Sequence, residues 1–177
     1  YDKAKRKKSL VDFSDIEHFA LDILVNAKTK EPTPVAEEFR NFFEEVMIDE
    51  YQDSNYLQEA ILSAVSKIQS GEPNMFMVGD VKQSIYRFRN AKPQLFLEKF
   101  YSYEEDLQAD NCLITLDQNF RSRKEIIDSV NFLFDRIMTP NFGDIDYQKG
   151  HRLSLGAQYE KIPERQDNRT EFIGIQT

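Results

Sequence analysis

The sequence predicts an α/β protein with a parallel sheet flanked by helices, and three observations carry that prediction. Amphipathic helical segments alternate with short apolar runs, the order expected of strands joined by helical crossovers. One run, Met75-Phe76-Met77-Val78, is apolar on consecutive residues, as a strand covered on both faces would be. Two runs, Val46-Met47-Ile48 and Met75 to Val78, lead into polar turns, the place where open α/β sheets put ligand-binding groups.

In chain order, the first eight residues carry Lys3, Lys5, Arg6, Lys7 and Lys8 and read as a frayed, solvated terminus. Leu10 to Phe13 leads into a helix capped by Ser14 and Glu17, with Ile16, Phe19, Ala20, Ile23 and Leu24 on its buried face. Pro32 and Pro34 mark a loop, after which a second amphipathic helix buries Ala36, Phe39, Phe42 and Phe43 and hands over to strand Val46 to Ile48. Beyond an acidic turn, Leu57, Ala60, Ile61, Ala64, Val65 and Ile68 fall at helical spacing until Gly71 and Pro73 stop them. Strand Met75 to Val78 follows, and Pro93 opens a short helix carrying Leu95, Phe96 and Phe100. After the polar loop Glu104 to Asn111, the run Cys112 to Leu116 reads as a strand. Ser122 and Glu125 then cap a helix that buries Ile126, Ile127, Val130, Leu133, Phe134, Ile137 and Met138. Past Pro140 the pattern weakens, with one more strand expected from Glu171 to Ile175.

A chain of 177 residues can bury one good core and the start of a second. No apolar run approaches the length of a membrane span and no signal-peptide pattern opens the sequence, so a cytoplasmic protein without a membrane partner is expected. The lone Cys112 excludes an internal disulfide or a cysteine-cluster metal site and reads as core. A net charge of −8 argues against a surface that binds nucleic acid everywhere. Locally the balance reverses: Val81 to Leu97 holds Lys82, Arg87, Arg89 and Lys92 with no acidic residue, interleaved with Tyr86, Phe88 and Phe96. Such a stretch can form a platform for single strands, rings for bases and cations for phosphates, although Tyr86 and Phe88 taken singly can equally be core rings.

A strand ending in Asp49-Glu50 sets two carboxylates side by side at a sheet edge. Nucleotide hydrolysis needs such a pair, because phosphoryl transfer is mostly positioning and charge neutralisation: one acid holds Mg²⁺ and the other orients and deprotonates water. Alone, an acidic pair after an apolar run is more often a solvated turn. Gln83 follows Gly79-Asp80 where an amide can hydrogen-bond a terminal phosphate. Arg121, after Asn119-Phe120 and before a helix, carries a permanently charged fork that can reach a transferred phosphate, or can form a surface ion pair.

Taken together, Val46 to Asp53, Met77 to Arg89 and Leu116 to Ser122 resemble, in order and spacing, motifs II, III and IV of UvrD-like superfamily 1 DNA helicases. The resemblance runs from about Val11 to Tyr159 and implies a P-loop NTPase (RecA-like) fold present as a partial domain. Residues 1–122 would be the later part of the first motor domain, and 123–177 a helix and the start of the second, partly without its partners. By this resemblance ATP and Mg²⁺ are the cofactors, Asp49 is the Mg²⁺ acid with Glu50 beside it, and Glu50 is the catalytic base. Gln83 links the nucleotide to the DNA groove, Tyr86, Phe88 and Arg89 line that groove, Phe120 stacks on adenine, and Arg121 acts as an internal arginine finger. Asp49, Glu50, Gln83 and Arg121 are thus expected to converge on one triphosphate pocket.

Lys82 stands where many relatives are acidic. With the tail around Gly143 to Tyr147 and Leu153 to Ala157, it resembles the AddA branch of bacterial AddAB (RexAB) helicase–nucleases. That branch implies DNA ends as substrate in double-strand break repair and recombination, an exonuclease domain elsewhere, and a partner of the AddB/RexB type. Two departures stand out: Phe120 replaces a common tyrosine, keeping the ring, and Asn90 replaces a common glycine, where a positive φ would strain it mildly. The sequence contains no Gly-x-x-x-x-Gly-Lys-Ser/Thr, so a fragment without hydrolytic activity of its own is expected. Two other readings stand beside the motor: a non-catalytic single-stranded DNA-binding module on Tyr86, Phe88 and Arg89, and a stand-alone Mg²⁺ hydrolase on Asp12, Asp15, Asp49, Glu50 and Asp53.

Overall fold

A computed structural model describes residues 1–142 and 145–159. The chain divides into two compact units, Tyr1–Leu113 and Ile114–Thr177. The architecture is mixed α/β, with one two-stranded parallel sheet in each unit among the described residues.

The first unit comprises helices α1 (Asp2–Lys8), α2 (Phe13–Leu24), α3 (Pro34–Phe42), α4 (Tyr56–Val65) and α5 (Pro93–Ser102) and strands β1 (Val46–Ile48) and β2 (Met75–Met77). Its helical core is small: Leu24, Ala36 and Ala64 are buried where α2, α3 and α4 meet, with Val25, Ile61 and Val65 packed against them. Two alanines at the crossing let the helix backbones approach closely. Each of the three helices has a built N-terminus. Asp12 and Asp15 form a reciprocal box on α2, Thr33 caps α3 ahead of Pro34, and Asn55 with Gln58 forms a box on α4. Arg40 donates from Nε to the Ala64 carbonyl at 2.8 Å and from Nη2 to Ser63 at 3.2 Å, placing a cation on the end of α4 that carries the negative dipole. Asn74 sets the entry to both strands. Its Oδ1 accepts from Lys67 N at 2.7 Å, its Nδ2 donates to Glu44 O at 3.1 Å, and its carbonyl accepts from Val46 N at 2.8 Å.

In the second unit, β3 (Gln118–Asn119) pairs in parallel with β4 (Ser154–Leu155), and α6 (Lys124–Ile137) packs with β4. A buried amide organises this unit. Asn131 Oδ1 accepts from the Tyr147 hydroxyl at 2.7 Å and from Leu153 N at 3.2 Å, while its Nδ2 donates to Leu153 O at 2.9 Å. Ile145, Tyr147 and His151 are buried with it, so the stretch past Pro140, where the sequence pattern weakens, supplies core. No helix among the described residues is long and apolar enough to cross a membrane.

Several sequence expectations are corrected. The basic N-terminus is a helix, because Lys5 is held by Asp15 at 2.6 Å and Asp12 at 3.0 Å and the Tyr1 hydroxyl donates to Asp12. Asp12 and Asp15, not Ser14 and Glu17, cap α2; Glu17 instead accepts from Gln58 Nε2 at 2.8 Å. The expected buried faces are open at Ile16, Phe19, Ile23, Phe39, Phe42, Ile126 and Ile137, which are all exposed. Helix α4 ends at Val65, since Ser66 turns extended and Asn74 takes the next amide, leaving Ile68 in a separate 3₁₀ turn. Met47 and Phe76 are exposed, so this two-stranded sheet is not covered on both faces. The run Cys112 to Leu116 forms one bridge at Cys112, which is only half-buried, and the strand falls later at Gln118–Asn119. Helix α6 starts at Lys124 with no side-chain cap; its capping position is Arg123, and Ser122 belongs to the preceding turn, where its main-chain N donates to Asn119 Oδ1. The strand expected at Glu171 to Ile175 lies outside the described residues.

Candidate active site at the ends of the first parallel strand pair

Strand pairing runs on past β1 and β2 into the motif turns. Val78 N donates to Ile48 O at 2.8 Å, and Tyr51 N donates back to Val78 O at 2.9 Å, so the two strand ends are stitched together where the acidic residues begin. Asp49 and Glu50 sit on this rim, exposed. Asp49 Oδ1 accepts from Glu50 N at 2.9 Å, and Glu50 adopts a left-handed conformation at φ 51°. A non-glycine residue there costs about 1 kcal/mol, strain of the kind that persists at functional positions when the surroundings over-determine it.

The surroundings here are Gln52, which is 1% exposed. Its Nε2 donates to Glu50 Oε2 at 2.6 Å and its Oε1 accepts from Asp80 N at 2.9 Å. One buried amide therefore joins the two motif turns. Gly79 makes the approach possible, since a Cβ at that position would lie 2.5 Å from Gln52 Oε1 and 3.0 Å from the Phe96 ring. Tyr51 anchors the turn below. Its ring is buried, its hydroxyl donates to Glu59 Oε2 at 2.6 Å, and burial together with that bond raises its pKa far above the ordinary range. Lys99 holds the other Glu59 oxygen at 2.8 Å. Asp53 Oδ1 is buried without a hydrogen-bond partner among the described residues, and burial, then the nearby Glu50 charge, push its carboxyl up.

Asp80 caps a 3₁₀ turn, Val81–Gln83, accepting from Lys82 N at 3.0 Å, Lys82 Nζ at 2.8 Å and Gln83 Nε2 at 3.1 Å. Burial alone would raise its pKa, but the Lys82 and Gln83 hydrogen bonds outweigh it and hold the carboxyl below its usual value. Lys82 is thus matched by an acid rather than standing as part of a free basic platform. Gln83 itself is exposed on the rim.

Tyr86, Phe88 and Arg89 follow on an exposed turn, and Phe88 is 78% exposed, so its ring stays out of the core of this unit. The Tyr86 and Phe88 rings lie 6.0 Å apart, with the Arg89 guanidinium 5.2 Å from one centroid and 5.5 Å from the other. Asn90 takes φ 74° at the end of this turn, the left-handed position expected of it. Lys92 N donates to Ser54 O at 2.8 Å and ties the loop back to the acidic segment.

The donor set suits magnesium. The rim offers two hard carboxylates, Asp49 and Glu50, and Mg²⁺ is commonly held by one or two carboxylates with water and substrate phosphate completing the shell. Among the described residues no group of three or more His, Cys, Asp or Glu could hold a metal by itself. The stand-alone hydrolase reading falls, because Asp12 and Asp15 are used in the α2 cap and by Lys5, both carboxyls held low by these hydrogen bonds.

In the second unit, Asn119 Oδ1 accepts from Arg121 N at 2.9 Å and Ser122 N at 2.8 Å, fixing a turn that leaves Phe120 and Arg121 exposed. The Tyr159 hydroxyl donates to Phe120 O at 3.0 Å and Arg121 O at 2.8 Å, and Gly156 lies against the Phe120 ring, where a Cβ would come within 2.8 Å. Sequence reading missed Gln52 as a bridge, and its buried amide has no periodic signature; Gly79 next to Asp80 was the available clue.

The fold and this rim define a class that comparison makes definite. The family model for the UvrD/REP helicase N-terminal domain matches residues 1–104, and the chain belongs to that family. Its similarity is more particular still. It is 55% identical over 97% of its length to the AddA polypeptide of the ATP-dependent helicase/nuclease of Lachnoclostridium phytofermentans. The corresponding polypeptide of Clostridioides difficile is 51% identical over 90% of this chain, and that of Clostridium acetobutylicum 50% over 93%. The chain spans only 12 to 13% of the length of these relatives.

Proposed function

We propose that this chain is part of the ATP-driven motor of an AddA-type helicase/nuclease polypeptide, covering the later half of its first RecA-like domain and the opening of the second. The parent would move on single-stranded DNA from duplex ends in double-strand break repair and recombination, with a second polypeptide of the AddB/RexB type as partner. The observation that supports this best is the bridged rim, where Glu50 and the Asp80–Gln83 turn share the Gln52 amide.

In this reading Asp49 is the carboxylate that would hold Mg²⁺, with Glu50 beside it. When bound, the metal neutralises charge on the nucleotide phosphates. Glu50 orients the attacking water and takes its proton. Gln83 hydrogen-bonds the terminal phosphate and responds to its loss, and the adjoining turn carries that response to Tyr86, Phe88 and Arg89, which grip the strand by stacking. Phe120 stacks on adenine, and Arg121 stabilises the charge that develops on the transferred phosphoryl group.

The test is ATP turnover by the full-length polypeptide with and without single-stranded DNA. Phe88→Ala should weaken oligonucleotide binding by about tenfold, since a base stack contributes roughly 1–3 kcal/mol, and should blunt DNA stimulation while leaving DNA-free turnover unchanged. Unaltered binding would remove Phe88 from the groove. The 177-residue chain alone should show negligible turnover, its sequence having no phosphate-cradling loop. Turnover by this chain that rises with DNA and vanishes in Glu50→Gln would overturn that part. The exposed Tyr86, Phe88 and Arg89 cluster also favours a second reading, a DNA-binding module without catalysis. A fluorescent-oligonucleotide titration at low salt that finds no binding by the chain rejects it.

A further inference from the structure

Gln52 lies between two groups with separate tasks. On one side it donates to Glu50 Oε2 at 2.6 Å, and on the other it accepts from the Asp80 main-chain amide at 2.9 Å. The side chain is buried, and both polar ends of its amide are used. An amide has one acceptor oxygen and one donor nitrogen, so each contact fixes the orientation that the other requires. Glutamate in its place would set an acceptor against the Glu50 carboxylate, and leucine would satisfy neither partner.

The packing admits little slack. Gly79 leaves room for Gln52 Oε1 only because it has no Cβ, and the Phe96 ring closes the same space. Glu50 is meanwhile held at φ 51°, and its carboxylate takes the Gln52 Nε2 hydrogen bond. The Asp80 turn that Gln52 grips carries Gln83 through Asp80 Oδ2 and leads on to Tyr86, Phe88 and Arg89. The Asp80 main-chain amide and the Glu50 carboxylate are therefore joined through one planar side-chain amide.

We propose that Gln52 is a positioning residue that aims Glu50 and couples it to the DNA-facing turn after β2. This rests on the reading of Glu50 as the base given above. In that role Gln52 adds nothing to nucleotide or DNA affinity; it sets how fast bound nucleotide is hydrolysed and how strongly DNA accelerates that step.

The experiment measures kcat, KM for ATP and the stimulation by single-stranded DNA in the full-length polypeptide for Gln52→Glu, Gln52→Leu, Gly79→Ala and Glu50→Gln, with thermal melting of each. Both Gln52 variants should lose kcat by about tenfold to a hundredfold, on the order of what a misplaced catalytic group costs, with KM and oligonucleotide affinity within about threefold. DNA stimulation should fall with kcat. Gly79→Ala, which leaves both side chains present and only crowds the clamp, should show the same pattern more weakly. It keeps the test alive if a Gln52 variant melts early. Wild-type kcat and stimulation in the Gln52 variants, with Glu50→Gln inactive, would overturn the clamp and leave the base assignment standing. Wild-type kcat in Glu50→Gln would overturn the assignment on which the clamp depends. A Gly79→Ala protein with wild-type kcat and stimulation would also overturn the clamp.

Discussion

The two units solve the same local problem in different ways. Each runs a short parallel strand pair into a motif turn, and each sets a glycine against a motif side chain: Gly79 against Gln52 and Gly156 against the Phe120 ring. In the first unit the fixed object is a side chain, a buried amide that holds Glu50 and the Asp80 turn at once. In the second it is main chain, with Asn119 and Tyr159 occupying the amides and carbonyls around Phe120 and Arg121 while both side chains stand exposed. The first arrangement suits a group that must be aimed before anything binds. The second suits groups that take their final contacts from a ligand, because only their backbone needs to be prepared in advance.

That contrast can be broken most directly at Arg121. If its side chain works only on the transferred phosphate, Arg121→Ala in the full-length polypeptide should lower ATP turnover by about 10³-fold and leave the melting temperature unchanged. A parallel loss of stability would make it a structural residue instead. Gly156→Ala sharpens the comparison, because the added methyl must displace the Phe120 ring. It should raise KM for ATP by roughly threefold to tenfold with kcat preserved, a loss of about 1 kcal/mol of stacking. An unchanged KM would take Phe120 out of the nucleotide site.

A smaller effect is expected away from both motifs, at the N-terminal junction. Asp12 and Asp15 have carboxyls held below their ordinary 3.8, Asp12 chiefly by the Asp15 amide and Asp15 chiefly by Lys5. A depressed folded-state pKa means stability that is present above the ordinary value and lost as pH falls through the folded one. Helix content followed by circular dichroism during acidification should therefore fall below the usual aspartate range. Asp12→Asn should start less stable near neutrality and lose less on acidification. Identical acid profiles would show that the junction contributes nothing.

The sequence revealed local backbone structure better than it revealed packing. Strand β1 and the Pro93 helix follow from local rules that depend on neighbouring residues only, whereas the positive φ at Asn90 was expected from the glycine common at that position in the resembled family. Ser14 and Ser122 failed as caps for a shared reason, a shift of the helix start: α2 begins at Phe13 with Asp12 as its cap, so Ser14 lies inside it, and α6 begins at Lys124, so Ser122 lies one residue before the capping position. Ile16, Phe19 and Phe76 had the right periodicity for a buried face, but periodicity says which face is apolar and not what covers it. Gln52 and Asn131 were invisible because a buried amide is recognised by partners far along the chain, 28 residues away for Asp80 and 22 for Leu153.

Glu50, proposed above as the group that takes the proton from water at the strand-end rim, is the residue on which the motor reading turns. Steady-state ATP turnover and nucleotide affinity of the full-length polypeptide carrying Glu50→Gln test this most directly. A fall in kcat of about 10² to 10⁴, the usual contribution of a general base, with affinity for ATP retained, is the predicted result. Turnover within a few fold of the unmodified protein would contradict it.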